Sequence, residues 1–289
     1  MGKWALDVSV YSQEIYQVNR GKPGMLASDL MAVEEPLEIR VERGPVSKRE
    51  KHTLSITMRT PGNDAELAQG FLFTEGIIRD RRDVESAKPC GPVTEDGYQN
   101  IIRVLLSPSA RFDIESLKRN FYTTSSCGIC GKTSLEAVEQ VSPFPTPPLP
   151  AWKEDQLLNL VSQLEAHQGL FQKTGGIHAC ALFDQNAKLL AVREDVGRHN
   201  ALDKLIGWAF TEKLLPLNQH LVLFSGRASF ELVQKAVMAG IPAMAAVGAP
   251  SSLAIKLAAK EKRALVGFLK PHRFNVYCGQ EFLEKNNET

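Results

Sequence analysis

Cys127 and Cys130 stand in C-x-x-C spacing inside residues 123–133, a run of small, polar and glycine residues. Gly128 and Gly131 free the backbone there from the usual φ/ψ regions, so the stretch presents thiols rather than packing them. Thr133 and Glu136 have capping-box spacing and predict a helix whose amide end points back toward Cys130. That helix end and Lys132 both favour thiolate over thiol, lowering a pKa that is about 8.5 for free cysteine. Reactive sulfur is the chemistry such a stretch supports best. The plainer alternatives are a pair of buried small residues or half of a zinc site. Structural zinc takes four ligands, and the chain has no second C-x-x-C and no H-x-x-x-H, so a dimer or scattered ligands would have to complete it. No metal site is expected.

The elements that would carry a partner for this sulfur lie in the second half. Apolar periodicity predicts a helix over 157–164, strands over 178–183 and 188–193 joined as a hairpin, and a helix from about 199. A strand over 221–224, a helix over 229–239, a strand over 243–247, a helix over 251–261 and a strand over 264–268 follow. Strands separated by helices imply a largely parallel sheet covered on both faces, with the first pair antiparallel. This order is that of the cytidine-deaminase-like fold, in which zinc sits at the N-termini of two helices. Ala201 replaces the glutamate of H-x-E and the second position has no cysteines, so the fold is expected without the deaminase chemistry.

Several loops fall on the predicted carboxyl edge of that sheet, where α/β proteins bind ligands. Gly176 precedes one strand and His178 starts it, and Arg198 and His199 open a helix. Ser225 and Arg227 open another, and 248–252 is a further small-residue loop. Cationic side chains at two helix N-termini suit phosphate oxygens. Taken singly, each of these residues also fits ordinary capping, ion pairing or a satisfied structural histidine. Together they suit a flat heterocycle with a phosphate tail. Residues 267–275 combine aromatics with Lys270 and Arg273, able to stack on a base and hold its phosphates, or to form only a solvated basic turn.

The first half reads as a smaller α+β domain. A strand is possible over 6–10, and half-buried strands are expected over 37–41, 54–58 and 101–106. A helix follows Asn63, its expected cap, with Glu66 three residues on. The expected division is 1–115 for this domain, 116–150 for the cysteine loop, its helix and a proline-rich connector, and 151–289 for the deaminase-like part. The connector over 141–150 must run extended, as a linker or as a packed arm.

At 289 residues the chain has room for two domains. With 34 Lys and Arg against 33 Asp and Glu, no global field recruits nucleic acid or a membrane surface. Five scattered cysteines, no signal-peptide core and no myristoylation motif point to the cytoplasm. Residues 236–255 carry no charge, but Gly240, Pro242, Gly248 and Pro250 break them into helix, strand and helix rather than a membrane span.

The blocks SSCGICGKTSLE (125–136), TGGIHACALFD (174–184), EDVGRHNALDKLIG (194–207), SGRASFELVQKAVMAGIP (225–242), APSSLAIKLA (249–258) and GFLKPHRFNVY (267–277) closely resemble the formate dehydrogenase accessory sulfurtransferases of the FdhD type. The resemblance runs from near Glu35 to about Tyr277. It implies a sulfur carrier that takes persulfide sulfur from a cysteine desulfurase. The sulfur passes to the molybdenum of the bis(molybdopterin guanine dinucleotide) cofactor, Mo-bisMGD, for formate dehydrogenase. By motif, Cys127 would hold the persulfide and Cys130 would assist or share it, while Phe268, Leu269, Lys270, Pro271, His272 and Arg273 match the cofactor-binding stretch. A homodimer and a deaminase-like fold are implied as well. Gly248 stands where serine is expected and Cys278 where threonine is usual. The alternative from another class is a cofactor-binding chaperone that carries no sulfur.

Overall fold

The computed structural model describes residues 8–110 and 141–284. Cys127, Cys130 and the helix expected from Thr133 lie outside the described residues.

The second half forms a six-stranded mixed sheet in the order β12-β11-β10-β9-β7-β8. Its strands are β7 (His178–Phe183), β8 (Leu189–Asp195), β9 (Leu221–Phe224), β10 (Ala243–Ala246), β11 (Ala264–Lys270) and β12 (Arg273–Cys278). β9, β10 and β11 are parallel, and β7 is antiparallel to both β8 and β9. The expected hairpin and parallel core are present. β12 was not expected: residues read as a basic turn run back along β11 as an antiparallel edge strand.

Both faces of this sheet are covered, which is why residues 221–224 and 243–246 are apolar without alternation. Helices α5 (Arg198–Thr211), α6 (Phe230–Met238) and α7 (Ser252–Lys260) pack on the face of Leu182, Val222, Phe224 and Met244. The helix expected over 157–164 is three short ones, α2 (Glu154–Leu158), α3 (Leu160–His167) and α4 (Gly169–Thr174). The first two cover the other face with Trp152 and Phe282. Residues 236–255 divide into the end of α6, β10 and the start of α7, and among the described residues no helix is long and apolar enough to cross a membrane.

The first half builds a second sheet in the order β4-β3-β6-β5, from β3 (Glu35–Arg43), β4 (Glu50–Arg59), β5 (Val84–Val93) and β6 (Gln99–Leu106). Leu37, Ile39, Val41, Ile102 and Val104 face α1 (Asp64–Thr74), which lies against α5, so one apolar core runs from this sheet to the larger one. The two helices touch backbone to backbone. A Cβ on Gly70 would stand 1.8 Å from the Asp203 carbonyl oxygen, and one on Gly207 the same distance from that of Glu66. Asn63 departs from expectation: it precedes α1 in the left-handed region, φ 58°, and its side chain caps nothing. Glu66 instead forms a two-pronged ion pair with Arg193, at 2.6 and 2.8 Å.

Of the strand expected over 6–10, residues 6 and 7 lie outside the described residues; Val8 and Ser9 form a turn, and β1 (Val10–Gln17) begins at Val10 and pairs with β2 (Met25–Ala32) as a separate ribbon. Tyr11, Tyr16, Leu26 and Leu30 are exposed on it. The proline-rich segment is a packed arm: Phe144 lies 6.2 Å from the Phe73 ring, and a Cβ on Gly240 would press against it.

Candidate functional site: a rim of strand-end loops

The carboxyl ends of β8, β9, β10 and β11 and the start of β7 meet at one edge of the large sheet. Loop is joined to loop there by backbone hydrogen bonds. The Val247 amide donates to the Phe224 carbonyl, that of Gly248 to Gly226, that of Ala228 to Ala249 and that of Ser251 back to Ala228. The Phe268 amide closes the series on the Gly248 carbonyl at 3.0 Å. Ser225 joins the other side, donating its amide to the Ala179 carbonyl at 3.0 Å and accepting the Ala179 amide on its hydroxyl at 2.8 Å. Glycine is required where these backbones approach: a Cβ on Gly248 would lie 3.1 Å from the Gly226 oxygen, and one on Gly267 would meet Pro250 at 2.6 Å.

Gly176, His178, Arg198, His199, Ser225 and Arg227 all lie on this edge, as the strand order predicted. Two helix N-termini open there, α5 after Gly197 and α6 after Ser229, and neither is capped by a side chain. The hydroxyl of Ser229 is buried and has no hydrogen-bond partner among the described residues. α7, by contrast, is closed by its own Ser251 hydroxyl, which accepts the Ala254 amide. Free amide groups beside Arg198 and exposed Arg227 form a cationic edge suited to phosphate oxygens.

The two histidines are poor proton carriers at neutral pH. Burial, and then the Arg198 guanidinium, lower the pKa of His178 against the opposing pull of Asp195. Burial takes His199 down to about 4, with Lys235 and Arg198 acting the same way and Glu231, 3.9 Å from its Nε2, opposing. That Nε2 atom is sealed from solvent and makes no hydrogen bond among the described residues. Both rings are therefore neutral groups on the rim at pH 7.

The stretch matching the cofactor-binding motif is a hairpin end. Phe268 is exposed and held at φ 52°, a left-handed conformation uncommon for a bulky side chain and of the kind stored at functional sites. Lys270 pairs with Arg273 across the turn of Pro271 and His272, and the last three are exposed. Leu269 is not part of this surface, being fully buried in the core beside Trp152.

The 194–207 block holds a structural device that the sequence reading missed. Asp195, fully buried, pairs with Lys204 at 2.7 Å and accepts the amides of Gly197 and Thr60 and the side chain of Asn200. Asn200 in turn donates to the Met58 carbonyl and Lys204 to that of Thr60. The turn carrying Arg198 and His199 is thereby fixed to the β4–α1 turn of the other sheet. Glu194, beside it, accepts the amides of Leu170 and Phe171 and holds the N-terminus of α4.

α4 and the face of α3 wall a cavity of about 520 Å³ that opens beside the rim. Val161, Leu164, Phe171, Ile177, Val196 and Val247 give it an apolar lining. His178, Ser225 and Gly226 join it to the rim, and Glu165 and Gln168 add polar groups from α3 and its C-terminal end. Helical spacing from 161 through 164 and 165 to 168 was the available signal for that face.

Two of the three described cysteines are ill suited to sulfur chemistry. Cys180 is buried in β7, and burial pushes its thiol far up. Burial also raises Cys278, whose thiol donates to the Arg263 carbonyl as a threonine hydroxyl would. Cys90 is half-buried on β5.

Comparison with known proteins agrees along most of the chain. A sulfur carrier protein FdhD from Streptomyces coelicolor is 50% identical over 258 residues, 88% of each chain. That of Mycobacterium tuberculosis is 50% identical over 255 residues, covering 86% of this chain and 90% of its own. That of Sulfolobus acidocaldarius is 40% identical over 270 residues, 93% and 97% of the two. A solved structure from Desulfotalea psychrophila, described as a formate dehydrogenase accessory protein, shares the mixed α/β fold at TM-score 0.70 and 22% identity, over 95% of this chain and 99% of that one. With residues 32–284 matching the FdhD/NarQ family model as well, the chain belongs to the FdhD/NarQ family.

Proposed function

We propose that the protein is a sulfur carrier that receives persulfide sulfur from a cysteine desulfurase and delivers it to molybdenum in Mo-bisMGD for formate dehydrogenase. The observation that carries this reading is the half-identity, over most of the chain, to proteins named sulfur carriers. The thiolate of Cys127 attacks the outer sulfur of the donor persulfide. One S–S bond forms as the donor's breaks, and the donor leaves as thiolate. Delivery of that sulfur as sulfide takes two electrons, which closure of Cys127 and Cys130 to a disulfide supplies. The raised or buried thiols of Cys180 and Cys278 favour assigning the carrier role to the C-x-x-C pair.

The dinucleotide is the substrate held at the rim. The uncapped starts of α5 and α6 with Arg198 and Arg227 suit its phosphates, and exposed Phe268 offers a stacking face with Lys270 and Arg273 beyond it. We take the C-terminal part as deaminase-like and the protein as a cytoplasmic homodimer, with the exposed apolar ribbon β1–β2 in support of self-association.

Intact-protein mass spectrometry after incubation with a cysteine desulfurase and cysteine tests the carrier role. A reducible gain of about one sulfur mass that is lost in Cys127→Ala is expected. No gain, under conditions that load a known acceptor, would leave a chaperone that binds the dinucleotide without carrying sulfur.

A further inference from the structure

Helix α1 covers one face of the four-stranded sheet. Leu37, Ile39, Val41, Ile102 and Val104 turn toward it, so the residues between them on β3 and β6 turn the other way. On that outer face Lys88, Arg103 and Arg40 stand abreast on three neighbouring strands, Lys88 registered with Arg103 and Arg103 with Arg40. Like charges directly opposite one another weaken a sheet. The carboxylates beside them do not restore the balance. Glu38 accepts two hydrogen bonds from Arg40, at 2.8 and 3.1 Å. Glu42, its side chain 4% exposed, is shared by Lys51, Arg49 and Arg103 at 3.6, 3.8 and 3.9 Å, each longer than a hydrogen bond. Among the described residues the Nε atoms of Arg49 and Arg103 make no hydrogen bond, and Lys88 makes no ion pair.

Five cations thus face two carboxylates, in a chain whose overall net charge is only +1. A local excess of that kind suits a partner that brings its own carboxylates. Ile56 and Met58, 64% and 44% exposed, lie on the same face, and half-buried Ile101 stands between Cys90 and Glu38. Apolar side chains set among charged ones fit a protein surface, whereas a nucleic-acid backbone would gain nothing from them.

The position of the patch narrows the choice of protein. Leu105, registered with Glu42, is the next-to-last residue of β6, and from this end of the sheet the chain goes on toward Cys127. From Lys51 it runs along β4 to Thr60, whose amide meets Asp195 behind the rim. At about 3.3 Å per residue those two points are about 30 Å apart. A partner seated at the Lys51 end leaves the rim open. A protein that supplies sulfur can use such a place, while the molecule that accepts it must meet the rim.

We propose that the outer face of the four-stranded sheet docks the protein that supplies the sulfur, through an acidic surface of that protein against Lys51, Lys88 and Arg103. The proposal rests on the reading of the chain as a sulfur carrier and adds the surface on which it is loaded.

Sulfur uptake by the full chain, followed by intact mass, tests it with two donors: a cysteine desulfurase with cysteine, and cysteine persulfide alone. In Lys51→Glu, Lys88→Glu, uptake from sub-saturating desulfurase should fall about tenfold or more and recover toward the wild-type rate when the desulfurase is saturating. Uptake from cysteine persulfide should not change, which also shows that the variant is folded. Lys88→Glu alone breaks no ion pair among the described residues and should lose about threefold. Wild-type uptake from the desulfurase should itself fall about tenfold between about 50 and about 300 mM salt. Lys153→Glu, Lys188→Glu makes the same charge change at exposed positions of the other half and should load as the wild type does. Equal uptake by the wild type and the Lys51, Lys88 pair, an equal loss in the control pair, or a wild type that loads from cysteine persulfide but not from the desulfurase would overturn the docking site and leave the carrier role standing. Duplex DNA bound by the wild type and released by the Lys51, Lys88 pair, with uptake unchanged, would overturn it in favour of nucleic acid. A wild type that loads from neither donor removes the carrier reading, and the docking site with it.

Discussion

His199 makes acid stability a test of how the rim is built. Its ring is enclosed at the start of α5, its Nε2 makes no hydrogen bond among the described residues, and Lys235, Arg198 and His178 all disfavour a further positive charge. Glu231 is too distant, at 3.9 Å, to offset burial. The folded chain therefore keeps this ring neutral down to about pH 4, whereas an unfolded chain protonates it near the ordinary value of about 6.5. Between these limits the unfolded state binds the extra proton, so stability is full above pH 6.5 and falls as the pH falls toward 4. At 1.36 kcal/mol per pH unit, the loss attributable to His199 at pH 4 is roughly 3 kcal/mol. His199→Gln cannot titrate and should escape that part of the loss. Urea unfolding followed by tryptophan fluorescence at pH 7 and pH 4, in wild type and variant, gives the comparison; buried carboxylates and other histidines cancel in the difference. Equal losses in the two proteins, to within about 1 kcal/mol, would refute the burial argument.

Three further outcomes are expected. Lys204→Met strands the buried Asp195 carboxylate and should destabilise the chain by about 3–5 kcal/mol in urea, with Asp195→Asn added in the same chain, which removes the charge but keeps an acceptor for the Thr60 and Gly197 amides, recovering part of the loss. Gly207→Ala forces a methyl against the Glu66 carbonyl and should lower stability by about 3 kcal/mol, whereas alanine at Gly169, where a Cβ meets nothing within 4 Å, should change it by less than about 1 kcal/mol in thermal unfolding. In a Cys127→Ala, Cys130→Ala chain, iodoacetamide should label Cys90 first and Cys278 slowly, and Cys180 only after denaturation; peptide mapping reads the order.

The large sheet was legible because its central strands are buried on both faces and so appear as unbroken apolar runs between glycine and proline breaks. β12 was not, because Arg273 and exposed Asn275 alternate with Phe274 and Val276 over too few residues beside a turn already read as basic. β5 was hidden by Pro89 and Pro92, which a strand tolerates when it is the edge of its sheet, as here. The rim could be foreseen from strand order, since helix starts after parallel strands must share an edge. What could not be foreseen is long-range pairing. Glu66 has the spacing of a cap but meets Arg193, Glu194 caps a helix 24 residues upstream, and Asp195 spends its hydrogen bonds on another sheet's turn. The cavity is of the same kind, for Gln168 and Ser225 are neighbours only once α3 and β9 are placed.

The stitched rim bears on how fast a ligand is captured. Because each loop is already bonded to the next through backbone amides, the ordering entropy of these loops is lost when the chain folds, and little remains to be lost on encounter. Association at this edge should therefore be a single bimolecular step, linear in ligand concentration, with no slow loop-closing phase. The amides of Ser225, Ala228, Gly248 and Phe268 should accordingly exchange with solvent deuterium almost as slowly in the free protein as in a complex.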